Sequence, residues 1–203
     1  MSKGKRATPS ATPRPRGRPR SASARQAILD AAVALVRESG YDALAFEAVA
    51  ARAGVGKSTI YRWWSTKELL VAEAVERIVL RIEVPDTGRV EDDVLVLMRK
   101  MLTMYKDPGT VTLLPALVAT VARSERVAKA VRSGMIAGWH DVIGAVLRRA
   151  VERGDVRADA DVDLATELLA GPLFYRYLWL GRPLRESYVR SVVGAVMDHL
   201  ERR

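Results

Sequence analysis

The chain has 203 residues, enough for one domain or two small ones with a full core, and its 49% apolar and 28% charged content is that of an ordinary globular protein. It has no cysteine, which excludes disulfides, thiolate catalysis and cysteine-based zinc sites, and no apolar run approaches the ~18 residues of a membrane span. The net charge of +9 is uneven: residues 1–25 hold eight basic residues and no acid, leaving 25 basic against 24 acidic in the remainder. A basic N-terminal element on a nearly neutral body reads either as a nucleic-acid tail or as a solvated tail. No secretory signal is visible, so a cytoplasmic protein is expected.

Residues 1–22 form the expected basic arm, rich in Pro, Ser, Thr, Lys and Arg, without apolar periodicity and therefore disordered when free. Within it "RPRGRPR", residues 14–20, resembles the core of an AT-hook. Proline keeps such a segment extended, glycine lets the backbone lie deep in a groove, and Arg16, Arg18 and Arg20 suit the negative potential of an A·T-rich minor groove. From Ser23 the pattern turns helical. Ser23-Ala-Arg-Gln26 has the form of a capping box, and Ile28, Leu29, Ala32, Val33, Leu35 and Val36 share one face. Gly40 is a plausible left-handed stop.

Residues 46–53 and 57–63 then read as two short helices around a glycine turn. The turn contains Gly54-Val-Gly-Lys-Ser-Thr59, which poses the question of a phosphate-binding loop. That loop is G-x-x-x-x-G-K-[ST] after a buried strand. Five positions before Gly56 stands Ala51, and the preceding residues are alanine-rich and unlike a strand. The alternative is a helix-turn-helix, in which Ala50 permits close crossing, Gly54 takes the positive φ, and Val49, Val55 and Ile60 hold the pair together. On spacing alone an ordinary helical hairpin fits equally.

The residue types go further. Ala50-x-x-Ala53-Gly-Val-x-x-x-Thr59-x-Tyr61, followed by Trp64-x-x-Lys67-x-x-Leu70 and preceded by Ala31…Gly40-Tyr, resembles the DNA-binding region of the tetracycline-repressor (TetR) family over about residues 24–70. The resemblance implies base-edge contacts from Lys57, Ser58 and Arg62, and phosphate contacts from Thr59, Tyr61, Trp63 and Lys67. Trp64 is expected to pack inside; for Trp63 packing and phosphate contact are both open. Two departures stand out. Leu44-Ala45 replaces the usual Thr/Ser before the second helix, and Gly56 replaces the usual Ser in the turn, so both short helices lose a side-chain cap.

Ser65-Thr-Lys-Glu68 is a further capping box, opening a helix to about residue 82, and Pro85 and Gly88 break the chain. Helices follow at about 90–105, 111–123, 125–153, 162–180 and 184–201, punctuated by Asp107-Pro-Gly109, Ser124, Gly154 and Gly181-Arg-Pro183. The reading is all-α, about nine helices, with a DNA-binding domain at 23–68 and an effector-binding and dimerisation domain at 69–203. The resemblance, extended more weakly through "GPLFYRYL" at 171–178, implies a homodimer on inverted-repeat double-stranded DNA and a small-molecule effector. The stripe Leu184, Tyr188, Val192 and Val196 is assigned to the dimer interface. Met101, Tyr105, Leu117, Trp139, Ile143 and Phe174 are assigned to the pocket, where thioethers re-pack around varied ligands. Pro172 should bend its helix, and His140 is either structural, exposed or a hydrogen-bond partner for the ligand. With two histidines and no cysteine there is no catalytic or metal-binding constellation, no cofactor is expected, and the chain does not read as an enzyme. The expected function is a repressor released by a hydrophobic effector; the alternative is an architectural DNA-binding protein without one.

Overall fold

The computed structural model describes residues 19–79 and 82–201. Among the described residues there is no strand. The helices are α1 (Pro19–Ser39), α2 (Phe46–Ala53), α3 (Lys57–Tyr61), α4 (Lys67–Val79), α5 (Val90–Lys106), α6 (Pro108–Val121), α7 (Glu125–Val131), α8 (Ala137–Arg153), α9 (Val162–Leu178) and α10 (Glu186–Glu201). A π-helical turn, Arg132–Ile136, joins α7 to α8 without a break, so the ten segments make nine rods, as the apolar periodicity implies.

Most ends follow from local chemistry. Gly40 and Gly154 stop α1 and α8 at φ 80° and 79°. Ser124 and Asp161 accept hydrogen bonds from the Val127 and Leu164 amides and so cap α7 and α9. Three expected boundaries move. The first helix starts at Pro19, so Ser23 lies inside it rather than at its cap; proline is tolerated in a first helical turn because its missing N–H has no partner there anyway. Asp107-Pro-Gly109 separates α5 from α6 as expected, but α6 starts at Pro108 and not near residue 111: Asp107 accepts from the Thr110 amide at 3.2 Å with Pro108 just inside. At α4 the capping hydroxyl belongs to Thr66, which accepts from the Leu69 amide at 3.4 Å, and not to Ser65.

Two apolar cores result. The first gathers α1–α4 around Ile28, Ala32, Val49, Ile60, Trp64 and Leu70, and borrows Leu113 and Leu117 from α6 and Val127 and Val131 from α7. The second packs α5, α8, α9 and α10 around Leu97, Met98, Ile143, Leu147, Leu169, Leu173, Val189 and Val193, with Leu114 of α6. Neighbouring residues of α6 thus serve different cores. α4, expected to open the second unit at residue 69, buries Leu69, Leu70, Val71, Ala72 and Ala74 in the first. Segment 82–89 is held down by the fully buried Asp93, which accepts from the Thr87 amide at 2.6 Å and pairs with Arg149 at 2.9 Å; the Arg149 guanidinium also donates to the Pro85 carbonyl.

Candidate nucleic-acid interface and ligand cavity

α2, the turn and α3 form the helix-turn-helix. Gly54 adopts φ 65°, and the Val55 amide donates back to the Ala50 carbonyl at 3.0 Å, closing the end of α2. Val49 and Ile60 are completely buried and pin the two helices together. Neither helix has a side-chain cap: Ala45 and Gly56 occupy the N-cap positions without one, as the two sequence departures imply.

Burial of Ile60 turns the rest of α3 outward. Lys57, Ser58, Tyr61 and Arg62 are exposed, and Thr59 and Trp63 half-buried, so six of the seven residues assigned to this face by sequence lie together on or beside α3. Lys67 is the seventh, at the start of α4, with its Nζ 4.5 Å from the centre of the Tyr41 ring and 3.4 Å from the Tyr41 carbonyl oxygen. Tyr41 is itself fixed, because its hydroxyl donates to Glu68 at 2.7 Å. Burial, and then that bond, pushes the Tyr41 phenol well above its ordinary range. Burial also opposes ionisation of Glu68, but the hydrogen bonds it receives, that from Tyr41 foremost, outweigh it and hold the carboxyl low. The pair ties the end of α1 to the start of α4, which sets the position of Lys67.

Two side chains on this face have partners that the sequence left unnoticed. Lys57 pairs with Glu47 of α2 at 2.5 Å, and this bond holds the Glu47 carboxyl below its usual range. Arg62 lies 4.8 Å from the Trp63 ring centre. Trp63 meets Trp64 edge to face at 5.6 Å. Trp64 is in the core as expected, its indole N–H donating at 2.9 Å to Glu73, which also pairs with Arg25 of α1 at 2.7 Å. The expected minor-groove arm, with Arg16 and Arg18, lies outside the described residues, as does the side chain of Arg20 on the first turn of α1.

The helices also enclose two adjoining cavities. One, of about 490 Å³, is enclosed by α5 to α9 and lined by Met101, Tyr105, Leu117, Trp139 and Phe174 among others, five of the six residues assigned to it. Ile143 is the exception: it lies one turn beyond Trp139 and is fully buried in the second core, so it presents no surface to a ligand. His140 is half-buried in the cavity wall. The Tyr105 ring meets Tyr177 at 4.9 Å and a tilt of 39°, and burial, aided by that neighbour, pushes its phenol up to about 12. The other cavity, of about 600 Å³, was not foreseen. Its walls are Ala32, Val33 and Val36 of α1 and Val71, Ala74 and Val75 of α4, facing Leu113, Leu114 and Met104. Met104, Leu114, Leu117, Met135 and Trp139 belong to both cavities, which are therefore neighbours across one shared wall.

The expected dimer stripe divides. Leu184 and Val196 are buried within the protomer, where Val189, Val193, Met197 and Leu200 accompany them against α5, so they cannot face a partner. Tyr188 and Val192 remain half-exposed. The reason is the narrow angle of a helical face: positions 189, 193, 196 and 200 point inward together, and 188, 192 and 195 lie a residue to one side. An exposed apolar stripe instead runs along α9 to the residue that caps it, where Leu164, Leu168, Tyr175 and Trp179 recur at helical spacing.

Comparison with known proteins extends along the chain. Residues 28–74 match the family model "Bacterial regulatory proteins, tetR family", and residues 84–196 match "Tetracyclin repressor-like, C-terminal domain". The HTH-type transcriptional regulator YdeS of Bacillus subtilis is 32% identical over 179 residues, covering 88% of this chain and 90% of that one. A DNA-binding transcriptional repressor TetR of Mycobacteroides abscessus is 33% identical over 184 residues, covering 90% and 94%. The crystal structure of the TetR family transcription regulator SCO0332 superposes with a TM-score of 0.77 at 30% identity, covering 87% of this chain and 97% of that one.

Proposed function

The chain belongs to the TetR family of DNA-binding transcriptional regulators and is not an enzyme, and from that premise we propose that it is a cytoplasmic repressor whose homodimer is released from an inverted-repeat operator by a small hydrophobic effector. Lys57, Ser58 and Arg62 read bases, while Thr59, Tyr61, Trp63 and Lys67 set the register on phosphates. Two copies of α3 then occupy successive major-groove faces about 34–36 Å apart.

The observation that carries the effector reading is who owns the cavity walls. α1 and α4 belong to the core of the DNA-reading unit, yet they also line the larger cavity, whose far side is α5, α6 and α8. A molecule that fits better when these walls move apart favours the arrangement in which the two α3 helices no longer match the groove spacing. A coupling typical of allostery, about 1–3 kcal/mol, lowers operator affinity about 5–150-fold.

The test begins with selection of bound sequences from random DNA, which should return a two-fold symmetric site. The preferred duplex then serves in a screen of hydrophobic molecules for release. Asymmetric or unrelated selected sequences, or no release by any compound that stabilises the free protein, would overturn the reading.

A further inference from the structure

Among the described residues, three buried side-chain polar atoms have no hydrogen-bond partner: Trp139 Nε1, Arg149 Nε and Arg157 Nε. Arg149 uses another nitrogen toward Asp93, the Arg157 Nε lies 3.5 Å from the Asp159 carboxylate in a loop ion pair, and neither arginine lines either of the two cavities. Trp139 is different. The residue is 6% exposed, it forms part of the walls of both cavities, and the indole nitrogen is its side chain's single polar atom. A buried donor left unpaired is costly, and native proteins rarely keep one without a use. Tryptophan is also an extravagant choice if only volume is needed, since phenylalanine fills space without an N–H to satisfy.

The larger cavity also has Arg37, Lys100 and Lys106 in its walls, so it is the charges of the smaller cavity that narrow what can meet that donor there. In the smaller cavity the ionisable lining groups are Glu167, His140 and the Tyr105 phenol, with no lysine or arginine. A carboxylate or phosphate entering there would lose its hydration, face Glu167 and find no lysine or arginine to pair with. An uncharged oxygen suffers neither penalty.

Resting on the reading of these cavities as the effector site, we propose that the Trp139 indole N–H is the polar anchor of the effector, and that the effector class is uncharged, mainly apolar molecules carrying a carbonyl-type oxygen. The apolar body fills the space beside Met101, Leu117 and Phe174, and the carbonyl accepts from Trp139 at the wall that the two cavities share.

The test uses matched probes, 2-acetylnaphthalene and 2-ethylnaphthalene, which differ by a carbonyl in place of a methylene, together with 2-naphthoate. Calorimetry on the full chain should show the ketone binding about ten-fold more tightly than the hydrocarbon, a difference of about 1.4 kcal/mol, and more tightly than the anion. In Trp139→Phe the preference should vanish while the hydrocarbon binds within about three-fold of its former strength. A nitrogen-15 indole spectrum of the unsubstituted protein supplies a readout that does not depend on that variant folding. One of its indole N–H signals should move downfield with the ketone and stay put with the hydrocarbon. Equal binding of the two probes, no binding of either, tighter binding of the anion, or a preference that survives Trp139→Phe would overturn the proposal. Release of operator by the ketone is scored separately. An anchor that holds without release would keep this assignment and remove the effector reading on which regulation rests.

Discussion

At the scale of single residues, the contact between Lys57 and Glu47 shows how a residue proposed to read bases is restrained in the free protein. The ammonium is neutralised by a carboxylate 2.5 Å away on the preceding helix, and a phosphate or a guanine must compete with it. Glu47→Gln should therefore tighten binding to operator and to unrelated duplex alike, by several-fold at low salt and less at high salt, as fluorescence anisotropy would measure. Arg62 and Lys67 should give contrasting signatures. Arg62→Ala should cost about 1–3 kcal/mol on the best site and relax preference at particular bases, whereas Lys67→Ala should weaken all sequences and reduce the salt slope by about one. Equal losses on every sequence for both variants would remove the distinction between base and phosphate contacts. Tyr105 makes a prediction about pH. Its phenol is held up to about 12 in the folded chain, against an ordinary 10, so the unfolded chain releases that proton first. Its contribution to stability should be intact below pH 10 and decline between about pH 10 and 12, a loss that urea denaturation of Tyr105→Phe should lack.

Among the elements, α6 is the one that holds the two cores together. Its first turn presses on α1 so closely that a Cβ on Gly109 would lie 3.2 Å from the Arg37 backbone nitrogen and Cα, and the Tyr41 amide donates to Thr112 at 3.0 Å. Asp107, which caps the helix, also pairs with Arg37 at 3.2 Å. Gly109→Ala should destabilise the protein by about 1–3 kcal/mol through overpacking against backbone, seen as a lower unfolding midpoint, and should weaken operator binding as well because α1 is displaced. Unchanged stability would mean that α1 and α6 separate easily. This junction was the least legible part of the sequence. A motif such as Ala50…Tyr61 repeats a local pattern and can be recognised from its own residues, and so can the five residues that line the smaller cavity, which lie on apolar helix faces with large side chains. Asp-Pro-Gly, in contrast, signals a break, and local residues do not say that the next helix starts within it, at Pro108. The same limit explains Leu184 and Val196. Periodicity identifies an apolar stripe, but whether the stripe meets its own α5 or a second chain depends on packing far away in sequence. Likewise nothing in Ala32, Val36, Val71 and Ala74 announces that a void lies between them, because only the distance to α5, α6 and α8 creates it.

For the whole molecule, association should depend on α9 more than on the buried stripe of α10. Leu168 is 41% and Tyr175 56% exposed, with Gly171 between them on the same face and Tyr188 and Val192 beside it on α10. Leu168→Glu combined with Tyr175→Glu should yield a folded monomer in analytical ultracentrifugation that has lost operator binding, with its helical circular dichroism retained. Val196→Glu, by contrast, places a charge in the protomer core and should unfold it. A dimer that survives the α9 substitutions would place the interface elsewhere. The shared cavity wall also affects how the switch can be tuned. Because Ala32, Ala74 and Val75 shape the larger cavity from the side of the reading unit, a longer side chain there occupies space that would otherwise admit an effector. Such a change replaces neither a residue of the α3 face nor Trp139 itself. It shifts the dose at which genes are switched on, and it leaves both the address on the chromosome and the identity of the signal as they were. Sensitivity can thus drift under selection as an independent trait, one methyl group at a time.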